Sequence, residues 1–261
     1  MQDRIAHQLN DLNKNFYRTV AESFSSTRQS AWAGWNLCFH AVDLANQTEA
    51  RILDVACGNQ RFADYAVRVL PNTSLTYIGI DANEQLSRAL ARDHGCMTET
   101  VAVDVIESAL DGSLRDKLLG EVLNGDMVDL AASFGFMHHV PTKEARMALI
   151  GALVESCRPR GYCCVSFWQF LNDARLSRKA ERDTVLGLDA LGLAHDDLDR
   201  NDYLLGWQDL AGVFRYCHHY SNAEISELAA SVSDRARVVA QFLADGRTST
   251  LNSYLILQRT E

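Results

Sequence analysis

The sequence predicts an α/β fold, with a central, mostly parallel sheet, one antiparallel strand and helices on both faces. Three observations carry that expectation. From Arg51 onward, short apolar runs alternate with stretches of helical periodicity. The predicted strands run out into acidic residues, Asp81 and Asp104 among them. The chain closes on two β-rich runs, "RVVAQFLA" and "LNSYLILQ", joined through Asp245-Gly246.

The elements follow in order. "RILDVA" is a buried strand, and after it Phe62, Tyr65, Ala66, Val69 and Leu70 recur at i, i+3, i+4, i+7 and i+8, one apolar helical face that stops at Pro71-Asn72. "LTYIGID" is the second strand; Leu86, Ala89 and Leu90 mark the next helix, with Gly95 as its C-terminal cap, and "TETVAVD" is the third strand. Leu110, Leu114, Leu118 and Val122 carry a helix to Asn124-Gly125, and "MVDLAAS" is the fourth strand. Pro141 opens a helix through Ala145, Leu149, Ile150, Leu153 and Cys157, which Arg158-Pro159 ends, and "GYCCVSFW" is the fifth strand. Ser221 and Glu224 form a capping box before Ile225 and Leu228.

A chain of 261 residues suits one domain with an elaboration. We divide it into an N-terminal helical cover over a sheet edge (1–50), a core (51–170), a helical insertion capping the substrate side (171–222), and a closing helix with the antiparallel strand pair (223–261). Trp32 and Trp35 share one face of the cover.

With 47% hydrophobic and 23% charged residues, the composition is that of a folded globular protein. The net charge of -9 argues against a protein that coats nucleic acid, although a local basic groove is compatible with it. The N-terminus lacks a signal-peptide core and no apolar run is long enough to span a membrane, so the expected location is cytoplasmic. Seven scattered cysteines without a C-x-x-C pair read as reduced, buried thiols. Adjacent histidines at His138-His139 and His218-His219 are expected to point apart, with no partner at ligand spacing, so no metal is expected.

In an open α/β sheet the ligand sits outside the carboxyl ends of the strands. The first strand runs into "ACGNQR", where Gly58 stands alone and Ala56 and Gln60 occupy positions that a dinucleotide-binding loop fills with glycine. Without those glycines a pyrophosphate is a poor fit, and a nicotinamide dehydrogenase is disfavoured. The acidic exits, with Asp54 just before the loop, suit a cofactor that carries cations and ribose hydroxyls instead.

"ILDVACGNQ", "YIGID" and "VAVD" resemble the first three motifs of the class I S-adenosylmethionine-dependent methyltransferases, over about Arg51 to Phe167. The resemblance implies a Rossmann-like methyltransferase fold with S-adenosyl-L-methionine as cofactor. It places Gly58 beneath the methionine moiety, Asp81 on the ribose hydroxyls, Asp104 on the adenine amine, and Asp54 as orienter of the loop and its ammonium contacts. Asn59, Ala82, Val105, Ser133 and Phe134 complete the implied set. Ala56 and Gln60 depart from the motif, and Gln60 is expected to crowd or hydrogen-bond the methionine end.

"VAESFSSTRQSAW", "FGFMHHVP", "SFWQF" and "GWQDLAGVFRYCHHYSNAEISEL" are similar to segments of the tRNA wobble-uridine carboxymethyl methyltransferases and their bacterial relatives. Arg28, His138, His139, Arg215, Tyr216 and His218 fall on matching motifs, while Cys217 and His219 depart from them. The implied reaction esterifies a carboxylate, which needs alignment rather than a base, and positioning supplies about 7–11 kcal/mol. Arg28 and Arg215 are the candidates to hold the carboxylate, each such bond being worth about 1.5–3 kcal/mol. For a hydroxyl or amine acceptor, His139 or His218 becomes the candidate base.

The alternatives are a small-molecule O- or N-methyltransferase, favoured by the acidic composition, and a non-catalytic cofactor-binding module, favoured by the substituted loop. Arg175, Arg178, Lys179 and Arg182 form a basic stripe that a tRNA could use. Some members of the family work with a small zinc-binding activator protein, and the resemblance leaves that partner open here.

Overall fold

The computed structural model describes residues 1–27, 30–83, 95–208 and 210–261. Its main sheet contains β1 (Glu49–Val55), β2 (Ser74–Asp81), β3 (Met97–Ala102), β4 (Val128–Ser133), β5 (Cys157–Trp168), β8 (Ala236–Ala244) and β9 (Asn252–Arg259), in the order β3-β2-β1-β4-β5-β9-β8. β1 to β5 are parallel, and β9 runs antiparallel to both β5 and β8. This is the mostly parallel sheet that the alternating pattern predicts. Strand order reverses between β1 and β4, so a crevice opens there at the carboxyl ends.

Strand alternation divides the core between the two faces of the sheet. Leu53, Val55, Ile78, Ile80, Cys163 and Val165 face α4 (Val105–Leu110), α6 (Lys143–Ser156) and α8 (Asn222–Ala230). Ile52, Tyr77, Leu130, Cys164 and Ile256 face the opposite way, toward α2 (Ala33–Ala41) and α3 (Arg61–Val69). Both layers are apolar, which is why the parallel strands read as continuous hydrophobic runs. Each fully buried Ile or Leu contributes about 1.5–3 kcal/mol of burial free energy.

Several boundaries differ from expectation. α6 begins two residues after Pro141, because the Thr142 hydroxyl accepts the Ala145 N–H at 3.1 Å and fixes the cap there. The helix after "ALDGS" is a short segment, α5 (Leu114–Asp116), that runs into a π-helical turn at Lys117–Val122. The predicted helix through Leu86, Ala89 and Leu90 lies outside the described residues.

The segment 171–222 is not purely helical. After α7 (Ala174–Leu191) it forms a two-stranded antiparallel sheet, β6 (Asp202–Gly206) with β7 (Phe214–His218). In the N-terminal segment α2 packs on β9 and on the edge strand β8, whereas α1 (Asp3–Ser26) lies over the β6–β7 pair. It packs on β7 and α4, and its buried face carries Asn10 and Asn13 besides Ile5, Leu9 and Phe16, which places polar groups over the crevice. Among the described residues no helix is long and apolar enough to cross a membrane.

Candidate active site

The β1 exit loop retains the backbone that glycines would provide. Ala56, Gly58 and Gln60 have φ of 62°, 52° and 56°, so three alternate positions are left-handed although only one is glycine. The turn is fixed by the Gly58 N–H, which donates to Asp81 Oδ2 at 2.9 Å, while Asp81 Oδ1 accepts the Asn83 N–H at 2.8 Å. Burial raises the Asp81 pKa, and these two N–H bonds oppose the rise. Burial pushes Asp54 up to about 7, against the hydrogen bond that it accepts from the Tyr77 hydroxyl.

The loop opens into a cavity of about 520 Å³, lined by Asp54, Ala56, Gly58, Asn59, Asp81, Ala82, Asp104, Val105 and Phe134. The sequence therefore located most of this wall, with two corrections. The left-handed turn at Gln60 sends its side chain away, and its amide donates to Thr100 Oγ1 on β3 at 2.9 Å. Ser133 is fully buried within β4 and lines neither this cavity nor the one beside it.

The opposite wall comes from elements that the sequence reading left out. Asn10, Asn13, Lys14, Tyr17 and Arg18 project from one face of α1 into the cavity. Asn10 and Lys14 both reach Asp104, with Lys14 Nζ at 3.1 Å, and Asp104 also caps α4 by accepting the Glu107 N–H. Arg61, in the first turn of α3, holds its guanidinium over Trp32 and Trp35, 4.9 and 5.1 Å from the ring centroids. Arg61 directly follows the recognised motif, the only sequence signal that marked it.

A second cavity of about 560 Å³ adjoins the first, and Tyr17, Phe24, Trp32 and Gly135 line both. Gly135 permits this throat, since a Cβ there would approach the Trp32 ring to 2.6 Å. Arg215 and His138 also line the second cavity. The Arg215 guanidinium lies between Phe16, Trp168 and Trp207 at 5.2, 5.4 and 5.8 Å, and its Nη1 donates to the Tyr17 hydroxyl at 3.1 Å. Its Nε is buried without a hydrogen-bond partner, and no carboxylate pairs with it among the described residues. Burial works against the charged form, and the Tyr17 hydroxyl and Cys217 more than offset it.

Strand alternation sorts the "RYCHH" segment. Arg215 faces the cavity, whereas Tyr216 and His218 point the other way and line neither cavity. His218 sits between Asp202 at 2.6 Å and Glu224 at 3.0 Å and is 1% exposed, so the expected base role for it does not fit. The Tyr216 hydroxyl donates to Asp202 at 2.7 Å and accepts from Arg146 at 3.0 Å, which makes it a scaffold residue and not a catalytic one. The expected capping box is present, with the Glu224 carboxylate also serving His218.

His139 lines the first cavity. Its Nδ1 lies 2.9 Å from the Tyr216 carbonyl and its Nε2 lies 2.7 Å from the Tyr17 hydroxyl. Arg28 lies outside the described residues.

The adjacent histidines do not point apart. The His138 and His139 rings lie 4.0 Å apart, and Cys217 brings its sulfur within 4.8 Å of them. The donor set suits a cation poorly: both His139 nitrogens have polar neighbours at hydrogen-bond distance, burial pushes the Cys217 thiol up to about 12, and Arg215 lies two residues away on the same strand face.

No family model matches the chain. Among curated proteins, it is 26% identical over 155 residues to a tRNA (carboxymethyluridine(34)-5-O)-methyltransferase of Macaca fascicularis, covering 58% of this chain and 19% of that protein. It is also 26% identical over 152 residues to the Arabidopsis thaliana enzyme of the same description, covering 58% of this chain and 31% of that protein. The chain thus spans less than a third of the length of either relative. Among solved structures, an S-adenosylmethionine-dependent methyltransferase from Methanosarcina mazei aligns with 89% of this chain and 99% of its own, at a TM-score of 0.57 and 15% identity. The fold is that of the S-adenosylmethionine-dependent methyltransferases. The first cavity, with Asp81 and the β1 loop at the strand exits, lies at the reversal of strand order, where an open α/β sheet offers a ligand crevice.

Proposed function

We propose that this methyltransferase-fold chain uses S-adenosyl-L-methionine to methylate a carboxylate, and that the carboxylate belongs to a carboxymethyl group on a tRNA wobble uridine. The single observation that carries the carboxylate is Arg215: a buried guanidinium with no acid partner among the described residues, facing a cavity that shares a throat with the cofactor crevice. Among the described residues its partners are a hydroxyl and aromatic rings and not a carboxylate, and an anionic acceptor would supply one. The tRNA part of the reading rests on what the two curated relatives are described as doing.

The first cavity fits the cofactor group by group. Asp81 offers acceptors to ribose hydroxyls, Arg61 a cation to the methionyl carboxylate, and Asp104 an acceptor to the adenine amine once it is shared with Asn10 and Lys14. When bound, the cofactor supplies a sulfonium-activated methyl group. The protein's part is to place the acceptor: Arg215 holds one carboxylate oxygen and leaves the other directed through the throat at Tyr17, Phe24 and Trp32. A carboxylate is already ionised, so no base is needed for its attack.

The test is to incubate the protein with methyl-labelled cofactor and tRNA that carries the carboxymethyl wobble uridine. The expected product is an alkali-labile methyl ester in tRNA. Absence of label from that tRNA, with label entering small carboxylic acids, would transfer the reading to a small-molecule acceptor.

A further inference from the structure

His139 reaches the Tyr17 hydroxyl, which lines both cavities. Its Nδ1 lies 2.9 Å from the Tyr216 carbonyl, which cannot donate, and 3.2 Å from the Asn13 amide nitrogen; we assign the proton of the neutral ring to Nδ1, directed at the carbonyl, so that Nε2 accepts from the Tyr17 hydroxyl. Asn13 fixes the same register from α1, accepting the Tyr216 N–H at 2.7 Å and donating to the Tyr216 carbonyl at 3.3 Å. The Tyr17 hydroxyl, which lines both cavities, therefore has its proton committed to His139 while it accepts from Arg215. In this arrangement it presents no proton to an arriving anion.

We propose that Tyr17 contacts the acceptor and that His139 sets the polarity of its hydroxyl, so that a carboxylate binds in the second cavity with uptake of one proton at His139 Nε2. The proton comes from solvent. Nε2–H then donates to the Tyr17 oxygen, and the Tyr17 O–H turns to the carboxylate beside Arg215. No covalent bond other than that N–H is made. This inference rests on the reading that the second cavity takes the acceptor.

The charges around His139 explain why uptake waits for the ligand. Among the described residues, Tyr17 and Asn13 from α1, His138 from its own turn and Cys217 from β7 lie against the ring, and Arg215 from β7 stands one hydroxyl further, bonded to Tyr17. The Cys217 thiol is neutral, and Arg215 opposes a second positive charge one hydroxyl away. An arriving carboxylate neutralises Arg215 and removes that opposition. Neutral His139 instead keeps the Tyr17 O–H on Nε2 and leaves the Tyr17 oxygen to accept a hydrogen bond from a hydroxyl acceptor, so one residue reads the acceptor's charge.

The experiment uses the full chain loaded with S-adenosylhomocysteine and titrated with sodium acetate, followed by the fluorescence of Trp168 and Trp207, which flank Arg215. Acetate stays ionised from about pH 6 to about pH 8.5, the range in which histidine titrates. The expected result is an acetate Kd that rises with pH, by up to about tenfold per unit for one linked proton. Tyr17→Phe should flatten that slope. Calorimetry of the unmutated protein in two buffers of different ionisation enthalpy should show uptake of about one proton per acetate. Binding with no proton uptake and a flat Kd overturns the proposal alone. No acetate binding at any pH overturns the carboxylate reading with it.

Discussion

Two buried polar clusters lie on opposite faces of β7, and they differ in one respect. On the inner face, Arg146, Asp202, Tyr216, His218 and Glu224 join α6, β6, β7 and α8 in a network where each charge meets an opposite one. On the cavity face, Arg215 meets a hydroxyl and three aromatic rings. Both clusters contain a buried arginine and draw side chains from one short strand, β7. Charge balance marks the first as scaffold, and its absence marks the second as a place for a ligand.

The comparison breaks first on Asp202. Asp202→Ala leaves Arg146 and His218 without their shared carboxylate and should cost about 3–5 kcal/mol in urea unfolding. A cost below about 1 kcal/mol would mean that the network is not a scaffold. Arg215→Met should do the opposite, lowering methyl transfer to a carboxylate about 10- to 150-fold, which corresponds to about 1.5–3 kcal/mol of charge-assisted bonding. Its thermal midpoint should hold or rise, since it removes a buried charge that has no carboxylate partner among the described residues.

Acid should separate the clusters further. Burial alone would raise Glu224, but hydrogen bonds from His218 and Ser221 hold it at about 2 against an ordinary 4.5. Because that pKa is depressed, the stabilisation is complete above about pH 4.5 and is lost as pH falls toward 2. His219, lowered to about 4 by burial and by His218, stays neutral in the fold and adds stability that erodes as pH falls from 6.5 toward 4. Urea midpoints measured down the pH scale should therefore decline in both windows, and Glu224→Gln should flatten the lower one.

Smaller effects test the cofactor side. With Asp54 near 7, a ligand that sets an ammonium group beside it should bind more weakly as pH falls below that value, since the carboxyl takes up a proton that the ammonium must displace. Calorimetric binding of S-adenosylhomocysteine across that range checks it. Gln60→Ala should change that affinity by less than about twofold, because its amide bonds Thr100 outside the cavity. A larger loss would return Gln60 to the methionine end.

The β-strand-exit wall of the first cavity was legible because it is local: strand, turn and helix at 51–69, then Asp81 and Asp104 at strand exits. What stayed hidden is assembled over long separations. Tyr17 and Asn13 meet His139 and Tyr216 from 122 and 203 residues away, and the apolar pattern of α1 does not say which partner its polar face will meet. The β6–β7 pair escaped notice because strands as short as "DYLLG" and "FRYCH" have too few residues to show a period. Gln60 misled for a different reason: residue type gave its chemistry, but a left-handed turn gave its direction.

The unpaired guanidinium also bears on how the cycle ends. Under the proposed reaction the acceptor arrives as an anion and leaves as an ester, which carries no charge. Arg215 then loses the attraction that seated its guest, at the step that completes the transfer. The chamber would thus discriminate by formal charge between what it has yet to modify and what it has finished, so a methylated molecule is a poor inhibitor and turnover runs toward dissociation.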